Sequence, residues 1–493
     1  TAAWKDHTTS YLAVLSGQES LQSTPNSVLD GIRRRNLGLS MRLSYGYKER
    51  YYLEGSFGYN GSERFAKDHR MGFFPSVGGA WVVSKEPFLL GSSKWLSFLK
   101  LRLSYGKVGN DGIIDTPRFV HLPSIGQDQP SGSFRPGLGQ ISRYRITGYQ
   151  NNDVTWEIAE QANLGLETKF FNGLFEATVD IYQQVRHNVL ANRTVIPEAM
   201  GLGLQPLDNI GKVRSRGLDF AGKIQHAFNS DLWVILNGTF TYSKATYLKI
   251  EEAADKPEWQ WKKGHDISQQ VGYIAEGLFR DQMEIDNSPV QGGDLMPGDI
   301  RYRDINDDGV IDVKDAVHIG FPTTPRIIYG FNGFINYKGL EFSFAFQGSG
   351  QRGFFINPAA ISPFYGNHAL LTAIYKDHWS VDNQAERPLW PRLSTKSITA
   401  HNPQEDYTTD KETRMSTYFL KECRFLRCTS LELGYNLPKK WSRKLALKNL
   451  KVYVRANNPF LISNFDLWDV ELGGNGFNYP IQKTYSVGLN VNF

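Results

Sequence analysis

A run of acidic and amide side chains between residues 304 and 315 is the segment of this sequence best suited to binding a cation. Around Gly309, the oxygen-bearing residues are Asp304, Asn306, Asp308, Asp312 and Asp315. Their spacing fits D-x-[DN]-x-[DN]-G with acids at the ninth and twelfth positions, which collects oxygens around a hard cation while the glycine allows a sharp turn. Val310 would add its backbone carbonyl, and Asp315 replaces the usual, longer glutamate. We predict a structural calcium site that braces a long loop; the alternative is a chain of Asx turns.

Tryptophans in the predicted loops form a second group that could contact a ligand. The candidates for substrate contact are Trp259, Trp261, Trp379 and Trp390. Sugars have apolar ring faces that could stack on indole rings, whereas the alternative for each residue is interface anchoring or packing within a loop. HExxH, GxSxG, P-loop and CxxC motifs are missing, so we expect no enzyme activity and no organic cofactor.

The composition indicates a β protein with many turns and interface aromatics. The 493 residues include 47 Gly, 30 Phe, 24 Tyr and 11 Trp, and the net charge of +5 includes no long basic run that would bind nucleic acid. No stretch of about 18 apolar residues is present, which excludes transmembrane helices.

The only cysteines, Cys423 and Cys428, would lie too far apart on one extended strand to form a disulfide.

The elements that must position these residues are amphipathic strands. Along the last strand, Tyr485 to Phe493, apolar residues alternate strictly with Ser, Gly and Asn. The turn at Asn172-Gly173 predicts a hairpin in which paired residue numbers sum to 345, so that Lys169 faces Glu176 on the polar face.

Two further hairpins sort their side chains in the same way. One turns at Lys338-Gly339 and pairs Phe331 with Phe346, while the other turns at Lys48–Arg50. Large apolar residues on one face and polar residues on the other are typical of a membrane barrel with lipid outside and a wet lumen. About fourteen strands are predicted, and short turns alternate with long irregular connections at 109–155, 188–209, 245–325 and 350–415. The fold class is therefore all-β, a transmembrane antiparallel β-barrel with long extracellular loops.

Several stretches, in order along nearly the whole chain, resemble the SusC/RagA family of TonB-dependent transporters. They are FPSVGGAW at 74–81, LRLSYG at 101–106, WE…QANLGLE at 156–167, NIGKV…GLD at 209–219, FLR…LGYNLP at 425–438 and NNPF at 457–460. The cysteines at 423 and 428 depart from the family pattern.

This resemblance implies a 22-stranded barrel in the outer membrane, of which residues 1–493 would form the C-terminal part. The plug domain, the TonB box and the first strands would belong to another part of the transporter, either left out here or held as a separate chain after proteolytic nicking, since an open barrel would expose strand edges to lipid.

The resemblance also implies a function and partners. These would be a SusD-like surface lipoprotein, contacted through 245–325 and 350–415, the TonB complex acting through the N-terminal part, and the lipid bilayer. The expected activity is active import of a nutrient, with an oligosaccharide favoured over an oligopeptide. The alternatives are a passive porin-like or adhesive barrel and, third, a barrel enzyme.

Overall fold

The computed structural model describes residues 2–4, 7–22, 32–92, 94–112, 119, 121–128, 143–196, 198–202, 204–366, 368–407, 415–444 and 447–492. Within these ranges, no helix combines the length and the apolarity that crossing a membrane would require. The chain divides into two compact units. The first comprises Thr1–Asp219, Lys244–Asp255 and Lys262–Gly264, and the second comprises Phe220–Ser243, Lys256–Trp261 and His265–Phe493.

The first unit is built from long antiparallel strands, each paired with the next along the chain. They are His7–Gln22, Ile32–Tyr47, Tyr51–Ser62, Met71–Val82, Leu96–Asn110, Glu157–Phe170 and Phe175–Asn192. A short strand, Ala2–Trp4, pairs with the first of them, and Ser124–Asp128 pairs with Arg143–Gly148 within the long connection that follows Asn110. Leu207–Ala227 and Leu232–Lys249 each have residues in both units.

The predicted register of the Asn172-Gly173 hairpin is confirmed residue by residue. Phe170 pairs with Phe175, and Lys169 pairs with Glu176, whose side chains form an ion pair at 3.2 Å. The chain reverses through Phe171, Asn172 and Gly173, all with positive φ. Glycine adopts this backbone conformation readily, whereas other residues adopt it rarely. The Lys48–Arg50 hairpin is confirmed as well, with Tyr47 opposite Tyr51.

The two faces of the sheet in the first unit differ sharply in chemistry. One face carries exposed apolar side chains, for example Leu15, Leu43, Leu53, Val77 and Leu103, which are between 51% and 74% exposed. The opposite face carries paired charges: Arg42 with Glu54 at 2.5 Å, and Arg102 with both Glu167 at 2.8 Å and Asp180 at 3.1 Å. Apolar rows that face outward and charged rows that pair inward are the arrangement that lipid and water impose on the two faces of a membrane barrel.

Aromatic rings gather at the end of the first unit where the turns are short. Tyr51 stacks between Tyr47 and Trp81, with ring centroids 6.5 Å and 6.4 Å away, and Phe170 stacks on Phe175 at 5.8 Å. Amphipathic rings in this position match the aromatic girdle that lies at a membrane–water interface.

The long strands of the second unit show the same alternation. They are Leu232–Lys249 up to Ser243, Ile327–Tyr337, Leu340–Gly350, Phe425–Asn436, Asn449–Asn457 and Thr484–Asn492. The Lys338-Gly339 hairpin has the predicted register, since Tyr337 pairs with Leu340 and Phe331 stacks on Phe346 at 4.8 Å. The final strand pairs with Asn449–Asn457. Its predicted last residue, Phe493, lies outside the described residues.

In the second unit, too, the long strands carry paired charges on one face. Lys451 contacts Glu341 at 2.6 Å and Glu432 at 3.0 Å, and Arg455 contacts Glu432 at 2.5 Å. The other face exposes Leu433, which pairs with Val454, and Val454 pairs with Val487.

Three of the long connections contain paired strands, and this corrects the sequence-based expectation that they are irregular. Besides the pair within 109–155, small sheets form in and next to 245–325 and 350–415. In these, Gln270–Gly272 pairs with Val317–Ile319, Ala275–Leu278 with Ile300–Tyr302, and Gly353–Phe355 with Leu420–Glu422. Short helices lie among them, at Gln282–Asp286, Pro358–Ile361, Thr372–Lys376 and Ile398–His401. A further helix, Lys439–Lys444, and the short strand Leu461–Ser463 flank the final strands.

These segments enclose a hydrophobic centre of their own, which we call the loop core. Ile300, Tyr302, Ile374, Trp390, Met415 and Phe419 are among its members, each at most 2% exposed. Such a core forms because pairing the backbone and burying side chains offset the entropy of ordering so long a connection.

The number of long strands and the unbonded cysteines agree with the sequence-based predictions, whereas one long connection is shorter than predicted. Fourteen of the described strands have nine residues or more, so the predicted number is confirmed. The connection predicted at 188–209 is shorter, because the flanking strands extend to Asn192 and begin again at Leu207. Cys423 and Cys428 form no disulfide, as predicted, and both are buried; Cys423 precedes the strand that contains Cys428.

Candidate functional site

The acidic loop lies between the short strands Ile300–Tyr302 and Val317–Ile319 of the second unit. The carboxylate of Asp304 accepts the backbone N–H groups of Asp307 and Gly309, each at 2.8 Å. Asn306 accepts the N–H of Asp308 at 3.1 Å. Gly309 has φ of 81°, which the tight turn requires.

Asp315 closes the loop from its C-terminal end. It is fully buried, and its two oxygens accept the N–H groups of Ile305 at 2.9 Å and Asp312 at 2.8 Å. Asp312 in turn accepts the N–H of Lys314 at 2.7 Å, which completes a capping box on the turn Val313–Asp315.

These bonds order both ends of the loop, and the carboxylates of Asp304, Asp312 and Asp315 all accept backbone N–H groups. Within the ranges that the structure describes, no group of three or more His, Cys, Asp or Glu side chains is arranged as a metal cage. The calcium site therefore stays a prediction.

Trp259 and Trp261 lie beside this loop, so the structure brings two of the predicted features together. The Trp259 indole N–H donates to the carbonyl of Lys314 at 2.8 Å. The side-chain amide of Gln260 donates to the carbonyls of Val313 at 2.7 Å and Lys314 at 3.0 Å. Both tryptophans keep more than a third of their surface exposed, and their rings therefore remain accessible next to the acidic loop.

Trp390 and Trp379 occupy positions different from those expected for substrate contact. Trp390 is only 2% exposed and packs edge-on against Phe419, with the ring centroids 5.5 Å apart. Its ring faces are covered by protein, and contact between Trp390 and a substrate stays a prediction. Trp379 is partly buried against the loop core and lies against Gly298.

Sequence patterns missed a set of charged and polar groups buried in and around the loop core. Asp299, which is fully buried, forms an ion pair with Arg392 at 2.9 Å. It also accepts hydrogen bonds from His401 at 2.6 Å and from the backbone N–H of Met296 at 2.8 Å. Asn402 accepts the backbone N–H of Ile300 at 2.8 Å. These residues tie the segments around 299 and 392–402 together, which are about a hundred positions apart in the chain.

Glu405 is a second buried acid that sequence reasoning did not identify. Tyr302 donates its hydroxyl to one Glu405 oxygen at 3.1 Å, and the backbone N–H of Ser416 donates to the other at 3.3 Å. Burial raises the pKa of Glu405 to about 7, although the hydrogen bonds from Ser416 and Tyr302 act in the opposite direction.

A pH dependence of the loop core follows from this raised pKa. Because the folded pKa of Glu405 lies above its ordinary value of 4.5, the contribution to stability is full below about pH 4.5 and is lost as pH rises to about 7. We expect the loop core to be less stable at pH 8 than at pH 4.5, by on the order of 3 kcal/mol. Hydrogen exchange of residues 300–302 and 415–420, corrected for intrinsic rates, measures this difference.

The matched variants for this prediction are Glu405→Gln and Glu386→Gln. The first should remove most of the pH dependence, because an amide does not titrate, whereas the second changes an exposed acid and should leave the dependence intact. Equal pH profiles for wild type and Glu405→Gln would contradict the assignment to Glu405.

Comparison with known proteins places these features in a family context. A family model described as "TonB dependent receptor-like, beta-barrel" matches residues 4–492. TonB-dependent receptor P26 of Formosa agariphila is 29% identical over 477 residues, which cover 92% of this chain and 45% of that protein. TonB-dependent receptor SusC of Bacteroides thetaiotaomicron is 27% identical over 466 residues, covering 92% and 43%. The chain thus spans less than half the length of these curated relatives.

Solved structures agree in fold. The structure described as the RagAB peptide transporter superposes with a TM-score of 0.72 at 23% identity, over 96% of this chain and 49% of that one. At this level of identity the likeness concerns the fold alone.

Proposed function

The chain belongs to the TonB-dependent receptor-like β-barrel family, is of the SusC/RagA type and lies in the outer membrane; from that premise we propose that the protein imports a nutrient across this membrane by TonB-dependent active transport. The observation that carries the proposal is that the long strands of each unit have one exposed apolar face and an opposite face that holds paired charges. Such a wall separates lipid from a polar passage.

The partners belong to the same proposal. Because this chain spans less than half of its relatives' length, a plug, a TonB box and the first strands would come from the rest of the transporter. A SusD-like surface lipoprotein would sit over the long connections. The folded loop core supports this pairing, since a preformed surface binds a partner without a large ordering cost.

For the cargo we propose an oligosaccharide. Trp259 and Trp261 support it, because exposed indoles on an ordered loop offer stacking faces for sugar rings. An oligopeptide is the alternative cargo, because the RagAB structure of similar fold is described as that of a peptide transporter. No catalytic role is proposed, since the relatives are named as receptors.

Uptake by the source bacterium tests this function directly. A strain lacking the gene should stop accumulating one class of labelled oligomer, and a protonophore should stop uptake in wild type to the same extent. Persistence of uptake with the protonophore would favour the passive porin-like alternative. Feeding oligosaccharides and oligopeptides separately distinguishes the two cargoes, and purification of the protein from native membranes reveals whether a lipoprotein accompanies it.

Calcium binding by the acidic loop forms a second, separate proposal. In support of it, alternate side-chain oxygens surround a turn with Gly309 at its apex, and Asp304 and Asp315 hold the two ends of the turn together. The role would be structural, since the loop also carries the Trp259–Trp261 segment.

Luminescence of terbium, a calcium mimic that nearby tryptophans excite, measures this binding. Asp304→Asn should weaken calcium's competition with terbium at least tenfold, because a hard cation prefers charged oxygens. Asp307→Asn is the matched control: Asp307 occupies a non-ligand position with φ of 57°, which asparagine tolerates. Equal competition in wild type and Asp304→Asn would show that the loop is a set of Asx turns and no calcium site.

A further inference from the structure

Polar residues replace apolar ones on the outward face of the first unit near the ends of its strands opposite the short turns. On Leu96–Asn110, the outward Leu103 and Tyr105 are followed by Lys107. On Phe175–Asn192, the outward Val179 and Ile181 are followed by Gln183. These ends lead into long connections, which lie on the extracellular side of outer-membrane barrels. Polar side chains therefore enter the outward face at these ends of the strands.

Some of the charged residues on this outward face are paired with each other. Glu160, which pairs across the strands with Lys107, contacts the Lys107 ammonium at 2.8 Å and the His187 ring at 3.4 Å. Its negative charge is therefore already matched within the protein, and these residues need no further ligand.

Four cations beside them have no such match. We call Lys212, Arg214, Arg216 and Lys244 the basic cluster. The first three alternate along Leu207–Ala227 in phase with Leu218, Phe220 and Ile224, whereas the intervening face carries Asp219 and Lys223. Arg216 Nε donates to Gln183 Oε1 at 2.7 Å, which fixes Arg216 on the outward face.

Lys244 joins them from the neighbouring strand. In Leu232–Lys249 it shares a face with Phe240 and Tyr242, and the hydroxyl of Thr246 on that face donates to the carbonyl of Arg214 at 3.5 Å. Lys244 and Arg216 are both exposed. Like charges opposite each other on adjacent strands are unfavourable without a counter-ion.

Protein carboxylates do not supply that counter-ion among the residues that the structure describes. Within the described part of the chain, no ion pair involves any member of the basic cluster, and the outward carboxylate on the same strand, Asp208, is bonded to Arg193 at 3.2 Å. The cluster faces outward, where the surrounding medium is the membrane interface.

We propose that the basic cluster binds the phosphate of a phosphorylated glycolipid in the outer leaflet of the membrane. The leaflet at the long-loop side of this barrel is the one that carries such lipids. Guanidinium groups match phosphate oxygens in geometry and charge, and ammonium groups add to the attraction. The apolar side chain of Leu218, which follows Arg216 on the same face of the strand, would lie against the acyl chains of the same lipid.

Binding in nanodiscs tests the proposal. The full-length transporter is placed in phosphatidylethanolamine discs doped with either diphosphoryl lipid A or chemically dephosphorylated lipid A, and retained lipid is counted by native mass spectrometry. Wild type should retain the phosphorylated form at least tenfold better. The triple variant Arg214→Gln, Arg216→Gln, Lys244→Gln should lose this preference, with a loss on the order of fivefold for each cation.

The matched control removes three cations elsewhere, in Lys48→Gln, Lys223→Gln, Lys338→Gln, two at short turns and one on the other face. It should keep the preference of wild type. Equal retention of the two lipids by wild type overturns the proposal without any variant, and so does a triple variant that binds as wild type does. Because lipid retention does not depend on uptake, this test is independent of the transport assay.

Discussion

Replacing Arg392 by methionine is expected to destabilise the loop core by about 3–5 kcal/mol while the long strands stay folded. Arg392 contacts Asp299 at 2.9 Å, and the Asp299 carboxylate is fully buried. Methionine fills the space of the arginine stem but leaves a buried charge with too few partners, which is the costly way to break a buried ion pair. The measurement is hydrogen exchange over 296–302 and 398–402, together with partner co-purification.

Lys396→Met provides the matched control in the same segment. Lys396 pairs with Asp294 at 2.6 Å, but both side chains are more than 60% exposed. Exposed pairs contribute about 0–1 kcal/mol, so this variant should exchange like wild type. If the two variants behaved alike, the buried cluster around Asp299 would not be what holds the loop core together.

The registers of the strand pairs were predictable because they depend on residues that are close together in the sequence. At Asn172-Gly173 and Lys338-Gly339 the turn residues fix the pairing, and period-two alternation then decides which face each side chain takes. A slip by one residue would have moved Lys169 and Glu176 into the apolar face, and so one register alone is consistent with the sequence. The faces of the sheet follow from the same rule.

The interior of the loop core was not predictable in this way. Asp299 and His401 are hydrogen-bonded at 2.6 Å although about a hundred residues separate them. No sequence pattern around either residue predicts this contact. Trp390 shows the reverse case. Its position in a predicted loop indicated exposure, but the loop folds over it and leaves 2% of it accessible. Residue type cannot distinguish a ligand-stacking tryptophan from a packing one.

The structure of the acidic loop was predictable only in part. Its spacing is a local signal and predicted the sharp turn at Gly309, where φ is 81°. What it could not predict is that Trp259 and Gln260 donate to the carbonyls at the end of this loop. That contact joins segments more than fifty residues apart, and it depends on how the small sheets of the loop core are assembled.

Leu433→Arg should reduce assembly of the protein in the outer membrane, with a cost of about 1–2 kcal/mol to barrel stability. Leu433 is 51% exposed and lies on the outward face, between Phe342 and Val454 on the neighbouring strands. On a water-soluble protein an exposed leucine would accept arginine at a cost of less than about 0.5 kcal/mol. The large expected effect comes entirely from lipid as the surrounding medium, and the heat-modifiable fraction on gels measures it after folding into vesicles.

Ser343→Arg is the matched control, because it adds the same side chain to the opposite face. Ser343 pairs with Glu432, which accepts ion pairs from Lys451 and Arg455, so a further cation there meets a carboxylate and a polar lumen. This variant should assemble close to wild-type levels. The opposite ranking, with Ser343→Arg impaired and Leu433→Arg normal, would mean that the exposed apolar rows face water and that the inside and outside of the sheet are reversed. If Leu433→Arg is impaired and Ser343→Arg is not, then the apolar face of these strands contacts lipid and the charged face contacts water, as the alternation of residues along the strands predicts.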